Sequence, residues 1–292
     1  MTGPAHRTKG THMNIKITSD STCDLSPEQL RQHNITLFPL YINIGGQCLR
    51  DGVEVNPPDI YAHVDAGGDL CTTAAVNIAD FTEQFAAFSK EYDAVIHIDI
   101  GQEFSCCNQN AAIAAQEFDN VYVVDSRNLS SGHGHVVLRA AELAESGMEP
   151  EQIAAELKAL TEKVDSSFIL SRLDYMKKGG RCSSVVALGA NLLHLRPCIE
   201  VVDGKMQVGK KYRGSFEKCV DQYIRDRLAH PEELDLRRIF ITHSGVEDSA
   251  VEAARRAVLD CAPFEEVVVT VTGCTISCHC GPGTLGVLYI RK

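Results

Sequence analysis

The amino-acid sequence predicts an α/β protein of two domains. The chain has 292 residues, a length at which a single hydrophobic core has usually stopped growing. Hydrophobic residues make up 44% of it, a share typical of a folded globular protein. Short apolar strands alternate with helical segments through most of the chain. This alternation indicates a mostly parallel sheet covered by helices.

The elements of the first half follow from apolar periodicity. A strand at 14–18 is followed at once by Asp20, Ser21 and Thr22, residue types that favour turns and helix caps. The other predicted elements are one or two strands within 35–44, helices at 57–64, 81–88 and 105–118, and strands at 94–98 and 121–124. Such strands, each followed by a polar loop, suit an open sheet flanked by helices.

Two further helices, predicted at 135–146 and 150–164, connect the halves. We place an N-terminal α/β domain at 13–155 and a C-terminal α/β domain at 156–292. The hairpin turn Asp203-Gly204 predicts antiparallel pairing, so the C-terminal sheet should be mixed. The other predicted elements here are strands at 167–170, 199–202, 206–210, 238–242, 265–271 and 286–290, a glycine-rich turn at 179–180, and helices at 216–228 and 247–261.

Composition excludes several classes of function. The net charge of -11 argues against binding to nucleic acid or an anionic membrane, so a few local donors must hold any anionic ligand. The longest apolar runs are far shorter than the about 20 residues that span a bilayer. Residues 1–12 have no apolar stretch of a secretory signal and are interpreted as a disordered extension or tag. Twelve cysteines then indicate free thiols in a cytoplasmic protein.

The common nucleotide-binding, hydrolase and zinc-protease motifs are absent from the sequence. Instead, small hydroxyl residues lie at predicted strand-to-helix junctions. Each could be only a helix N-cap. Together, at the carboxyl ends of strands, they could form an anion site. These residues are Thr72, Thr73, Ser105, Ser130 and Ser131.

Two other segments could contact the same anion. His279 precedes Gly281-Pro282-Gly283, a rigid turn that gives the imidazole a defined direction. Arg181 follows two glycines and could reach an anion or a partner. Cys274, Cys278 and Cys280 around His279 also allow a zinc hypothesis. We expect no metal there, because no second ligand pair follows and adjacent ligands on an extended segment point to opposite faces.

Four ordered segments resemble the DegV family of bacterial fatty-acid-binding proteins. ITSDSTCDL at 17–25 resembles the family's DSTxDL start, and VVDSRNLSSGHG at 123–134 resembles its DSxxxSxGxG segment. LDYMKKGGR at 173–181 is similar to LxYLxxGGR, and HCGPGTLG at 279–286 to HxGPGxLG. The matches span nearly the whole chain from Met13.

The resemblance implies two α/β domains with a ligand tunnel between them. One long-chain fatty acid would lie there, its tail in the N-terminal domain and its carboxylate near the junction. Some family members carry the acyl group for a separate fatty acid kinase catalytic subunit, which phosphorylates the carboxylate. The implied carboxylate-binding residues are Thr72, Thr73, Ser105 and His279, with Arg181 contacting the partner or orienting the phosphoryl group. No cofactor and no catalytic residue of its own are implied.

This chain departs from the family pattern beside the implied head-group site. The family's TSQPS is replaced by TTAAV at 72–76, and its LSGTY by FSCCN at 104–108. The hydroxyls are kept, but two thiols are added. One alternative is therefore a cysteine-dependent acyl hydrolase or transferase using Cys106 or Cys107 with His279. Another is a metal-sensing or redox module built on the cysteines of 274–280.

Overall fold

The computed structural model describes residues 13–186, 188 and 195–292. The predicted extension at 1–12 lies outside the described residues. Within them the chain forms a mixed α/β fold of two domains, one built on a parallel sheet and the other on a mixed sheet. The predicted fold class is confirmed.

The first half contains a four-stranded parallel sheet, in the order β2-β1-β6-β7, and a small antiparallel sheet, in the order β4-β3-β5. Its elements are β1 (Ile15–Asp20), α1 (Pro27–Gln32), β2 (Thr36–Phe38), β3 (Tyr41–Ile44), β4 (Gln47–Arg50), α2 (Pro57–Asp65), β5 (Thr72–Ala74), α3 (Ile78–Glu91), β6 (Ala94–Asp99), α4 (Cys107–Ala115), β7 (Val121–Asp125) and α5 (Ser130–Glu145).

The second half contains a six-stranded mixed sheet in the order β10-β9-β8-β13-β11-β12, in which β11 and β12 pair in parallel. Its elements are α6 (Pro150–Thr161), β8 (Val164–Ile169), α7 (Asp174–Gly179), α8 (Ser183–Val186), β9 (Leu195–Val202), β10 (Lys205–Arg213), α9 (Phe216–Arg227), β11 (Leu234–Ser244), α10 (Asp248–Cys261), β12 (Glu266–Val271), α11 (Cys274–Cys280) and β13 (Thr284–Arg291).

Three local predictions are corrected by the structure. The helix predicted to continue to 164 ends at Thr161, and Val164 already begins the next strand. The glycine-rich turn at 179–180 is preceded by helix α7, which ends where Gly180 adopts a φ of 70°. The segment 274–280, treated as extended, is helix α11. Its first backbone N–H groups are bound by distant carboxylates, which no local pattern reveals.

Helix α5 connects the two main sheets. It contacts β1 and β6 on one side and β8, β11 and β13 on the other, so most of its residues are buried. The Ser131 and Thr242 hydroxyls hydrogen-bond to each other, and His135 Nε2 donates to the carbonyl of Leu288 at 3.0 Å. Burial lowers the pKa of His135 to about 4, so this imidazole is neutral near pH 7. Apolar residues of both halves pack into one cluster around the helix.

Candidate functional site

A cavity of about 300 Å³ lies between the two halves of the chain. Much of its wall is apolar and comes from both halves, which suits a hydrocarbon ligand. The larger apolar side chains in the wall are Leu40, Ile100, Phe104, Leu129, Phe168, Met176, Met206 and Ile276.

The polar side chains in the wall include four of the predicted site residues, namely Thr73, Ser105, Arg181 and His279. Thr73 Oγ1 and His279 Nε2 are hydrogen-bonded at 2.9 Å, although 206 positions separate them in the chain. This contact joins β5 of the first half to α11 of the second. The structure therefore brings these four residues to one cavity.

Thr72 does not join this group. It is exposed on the other face of β5, where its hydroxyl accepts a hydrogen bond from Asn43 Nδ2 at 3.4 Å. Successive side chains of a strand point to opposite faces, so only one residue of the Thr72-Thr73 pair can face the cavity. The sequence prediction placed the pair at a strand-to-helix junction and could not distinguish the two.

Ser105 lies just before helix α4 and also lines the cavity. Its Oγ accepts from the N–H of Cys107 at 3.3 Å, and its hydroxyl donates to Cys107 Sγ at 3.3 Å. The helix begins at Cys107, two residues later than predicted. Ser130 and Ser131 lie elsewhere, buried in the first turn of α5, so the predicted grouping of all the hydroxyls at one anion site is incorrect.

His279 is neutral near pH 7 in this structure. Burial, and secondly the charge of Arg181, lower the pKa of His279 to about 4. Its Nδ1 is buried without a hydrogen-bond partner among the described residues. Gly179 packs against this atom, since a Cβ at position 179 would lie 2.2 Å from His279 Nδ1. Any larger residue at 179 would push the imidazole away from Thr73.

Arg181 is exposed beside the cavity and connects its two sides. Its Nη1 donates to the carbonyl of Gly179 at 2.6 Å, and its Nε donates to the carbonyl of Phe104 at 3.3 Å. Phe104 belongs to the loop before α4 and Gly179 ends α7, so the arginine spans both halves. The guanidinium has further N–H groups for an anion arriving from solvent.

Two buried carboxylates hold the N-terminus of α11, the helix that carries His279. Asp24 Oδ1 accepts from the N–H of Gly273 at 2.7 Å, and Asp51 accepts from the N–H groups of Cys274 at 2.9 Å and Thr275 at 3.1 Å. Carboxylates at a helix N-terminus satisfy free N–H groups and oppose the positive end of the helix dipole. The sequence analysis missed both aspartates, since their partners lie more than 220 positions away.

Asp24 should make stability depend on pH. Burial raises the pKa of Asp24 to about 7, and the charges of Asp51 and Asp20 add to this rise against hydrogen bonds from Ser130 and Gly273. The folded protein then binds a proton between about pH 4 and 7 that the unfolded chain has released. The Asp24 contribution to the free energy of unfolding is therefore present at low pH and is lost as pH rises through 7.

We compare the free energy of unfolding of Asp24→Asn with that of the unmodified protein. We expect the difference to shift by about 2 kcal/mol in favour of the variant from pH 5 to pH 8. An asparagine Oδ1 can accept from Gly273, and its amide can donate to the Ser130 hydroxyl. Urea unfolding of both proteins at the two pH values measures this difference. A constant offset at both pH values would show that Asp24 does not titrate in this range.

The cysteine arrangement does not favour the predicted nucleophile. Burial raises the pKa of Cys107 well above its usual value, so its reactive thiolate is disfavoured. Cys106 is exposed and lines the cavity. Within the described part of the chain, His279 is hydrogen-bonded to Thr73 and to neither of these thiols. A Cys–His pair of the kind used in acyl transfer is therefore not formed here.

The three cysteines around His279 are packing residues. Cys274 and Cys278, four positions apart on α11, pack with Cys71, Ile42 and other buried side chains, while Cys280 lines the cavity. Burial raises the pKa of Cys274, Cys278 and Cys280. In the described ranges their sulfurs do not form a group of three closely spaced metal-ligand atoms.

Comparison with known proteins identifies the family of this chain. The family model described as "Uncharacterised protein, DegV family" matches residues 14–292. The chain belongs to the DegV family. A DegV domain-containing protein of Deinococcus radiodurans is 32% identical over 276 residues, covering 94% of this chain and 98% of the relative.

Solved DegV structures have the same fold. A DegV family protein from Thermus thermophilus, described by its fatty acid binding, has a TM-score of 0.89 and 34% identity, covering 96% of this chain and 100% of that one. DegV from Bacillus subtilis, described as a fatty acid binding protein, has a TM-score of 0.82 and 27% identity over the same shares. In the described residues of the present DegV chain, no helix has the length and apolar character needed to cross a bilayer.

Proposed function

We propose that this protein binds one long-chain fatty acid in the cavity between its halves, with the carboxylate at Thr73, Ser105 and His279. The observation that carries the proposal is a cavity of about 300 Å³ whose largely apolar wall also includes these three polar side chains. The Thermus and Bacillus relatives described as fatty-acid-binding support the proposal, since both share the fold over nearly their full length.

The acyl chain supplies the driving force for binding. Each buried methylene contributes about 0.8 kcal/mol, so a chain of about 15 methylenes contributes roughly 12 kcal/mol before ordering costs. Apolar side chains of both halves would surround it, including Leu40, Leu129 and Phe168. The fatty acid therefore stabilises the contact between the halves.

Hydrogen bonds from the polar side chains of the cavity wall would offset the free-energy cost of burying the carboxylate. A buried carboxylate without hydrogen bonds would cost several kcal/mol. When His279 Nε2 donates its proton to Thr73 Oγ1, the Thr73 hydroxyl hydrogen is free to donate to a carboxylate oxygen, and Ser105 can turn its hydroxyl to the other oxygen. A bound carboxylate would also raise the pKa of His279 from its low value, because an anion favours the imidazolium.

We also propose that the bound carboxylate is presented to a separate kinase subunit. Arg181 lies beside the cavity with exposed surface and is suited to contact a phosphoryl group or the partner. In this scheme the kinase subunit holds ATP, and this chain positions one carboxylate oxygen for attack on the γ-phosphate. The protein then acts as an acyl carrier and not as an enzyme on its own.

Removing the Ser105 hydroxyl should weaken fatty acid binding about tenfold, since one hydrogen bond to a charged group contributes about 1.5 kcal/mol or more. The test is the dissociation constant of a fluorescent fatty acid for Ser105→Ala. Ser215→Ala is the control, because the Ser215 hydroxyl also accepts from an N–H group in the first turn of a helix, that of Lys218 in α9, and does not line the cavity. Equal affinities of the two variants would remove Ser105 from the head-group site.

The ligand itself can be identified directly. Mass spectrometry of the lipid extracted from purified protein should find one long-chain fatty acid per chain. Addition of acyl thioesters should leave Cys106 and Cys107 unmodified. A covalent acyl adduct on either thiol would instead support the alternative of a cysteine-dependent acyltransferase.

A further inference from the structure

Three buried side chains form a group of potential metal ligands below the cavity site. Asp20 ends β1, Asp99 ends β6, and Cys107 begins α4. A carboxylate oxygen of each aspartate and Cys107 Sγ all lie within 4.8 Å of one another. Because β1 and β6 are adjacent parallel strands, their carboxyl ends meet at one edge of the sheet. Across the described ranges, this is the one such group of three His, Cys, Asp or Glu side chains.

Asp99 has an unsatisfied oxygen in this group. Its Oδ1 is hydrogen-bonded to His97 Nε2 at 2.9 Å, while Oδ2 is buried and has no hydrogen-bond partner in the part of the chain that the structure describes. The side chain is fully buried. A carboxylate oxygen in this position is costly, and a second carboxylate beside it adds to that cost. A bound cation would remove both costs.

Each of the three potential ligands is also held by a second group. Asp20 Oδ1 accepts from the N–H of Thr22 at 2.8 Å and from its hydroxyl at 2.6 Å, and Asp20 Oδ2 accepts from the N–H of Ile100 at 2.6 Å. His97 orients Asp99, and the Ser105 hydroxyl donates to Cys107 Sγ. Outer hydrogen bonds of this kind fix the direction of metal ligands in proteins.

We propose that Asp20, Asp99 and Cys107 form a binding site for one Zn²⁺ ion. A thiolate with two carboxylates suits this borderline-soft cation better than Mg²⁺ or Ca²⁺, which prefer oxygen ligands alone. Three protein ligands leave the fourth tetrahedral position to a water molecule. Zinc binding displaces the Cys107 thiol proton to solvent, so affinity falls as pH falls. The proposal stands apart from the fatty acid function, except that both use the Ser105 hydroxyl.

The probe is Co²⁺, which replaces Zn²⁺ and gives an intense near-ultraviolet absorption band when bound to a thiolate. The full chain, freed of metal with a chelator, should develop this band up to one equivalent of Co²⁺, and Zn²⁺ should abolish it. Cys107→Ser should remove the band. Cys106→Ser, which alters the adjacent exposed thiol, should retain it.

Asp99→Asn tests the carboxylate independently of the thiol. It preserves the shape of the side chain, and we expect it to weaken Zn²⁺ binding more than about tenfold. Zinc should also raise the melting temperature of the unmodified protein but not that of this variant. No band at one equivalent, or a band that survives in Cys107→Ser, would overturn the proposal. A melting temperature unaffected by zinc would also overturn it.

Discussion

Replacing Arg181 by alanine should leave the fatty acid bound and lower phosphoryl transfer to it by about a hundredfold. In the proposed binding mode the carboxylate would retain its hydrogen bonds from Thr73 and Ser105, so affinity should change by less than about fivefold, the value of an exposed ion pair. In the proposed transfer the phosphoryl group would lose a positive donor at the point where charge develops. Fatty acid affinity and the rate of acyl phosphate formation with the kinase subunit are the two measurements.

Arg172→Ala is the matched control for this result. Arg172 lies nine positions earlier, is exposed, and pairs with Asp174 without lining the cavity. We expect it to retain both affinity and transfer. Arg181→Lys should recover part of the transfer rate, since it keeps the charge but not the planar fork of donors. Loss of fatty acid binding in Arg181→Ala would instead place this guanidinium among the carboxylate ligands.

Gly132→Ala should be severely destabilising. A Cβ at position 132 would lie 2.1 Å from Ser166 Oγ and 2.3 Å from Asn128 Oδ1. Gly132 is in the first turn of α5, which contacts β8, and both neighbouring side chains are buried. Overpacking of this kind should lower the free energy of unfolding by about 3 kcal/mol. Urea unfolding measures the loss.

A double-mutant cycle isolates this contact. The Ser166 hydroxyl is buried and has no hydrogen-bond partner among the described residues, so Ser166→Ala alone should change stability little. Combined with Gly132→Ala, it removes the closer of the two clashes and should restore part of the lost stability. If the two substitutions are additive, the contact between α5 and β8 is looser than the structure indicates.

The larger strands could be predicted from sequence because each is a continuous apolar run, as in β6 and β7. Strand β5 was missed, since Thr72-Thr73-Ala74 is short and carries no apolar pattern. The consequence was functional, because only the strand assignment separates Thr73, which faces the cavity, from Thr72, which does not. Helix α7 was missed because Lys178-Gly179-Gly180 reads as a turn.

The residues of the candidate site were predicted mainly from the resemblance to the DegV family. The geometry of the site could not be predicted from the sequence. The hydrogen bond between Thr73 and His279 joins residues 206 positions apart. The neutral state of His279 depends on burial, which the sequence does not give. Likewise, Asp51 caps a helix that begins 223 positions later. Local patterns identify residues that suit an anion, but only the packed fold determines which of them meet.

The position of α5 has a consequence for how the two halves depend on each other. Domains joined by an exposed linker can hinge apart or be separated genetically, because few interactions cross the boundary. Here one helix belongs to the core of both halves. Separating the halves would leave an apolar helix face uncovered on one fragment and an uncovered sheet on the other. The cavity therefore lies within one packed unit and not between two domains that could fold separately.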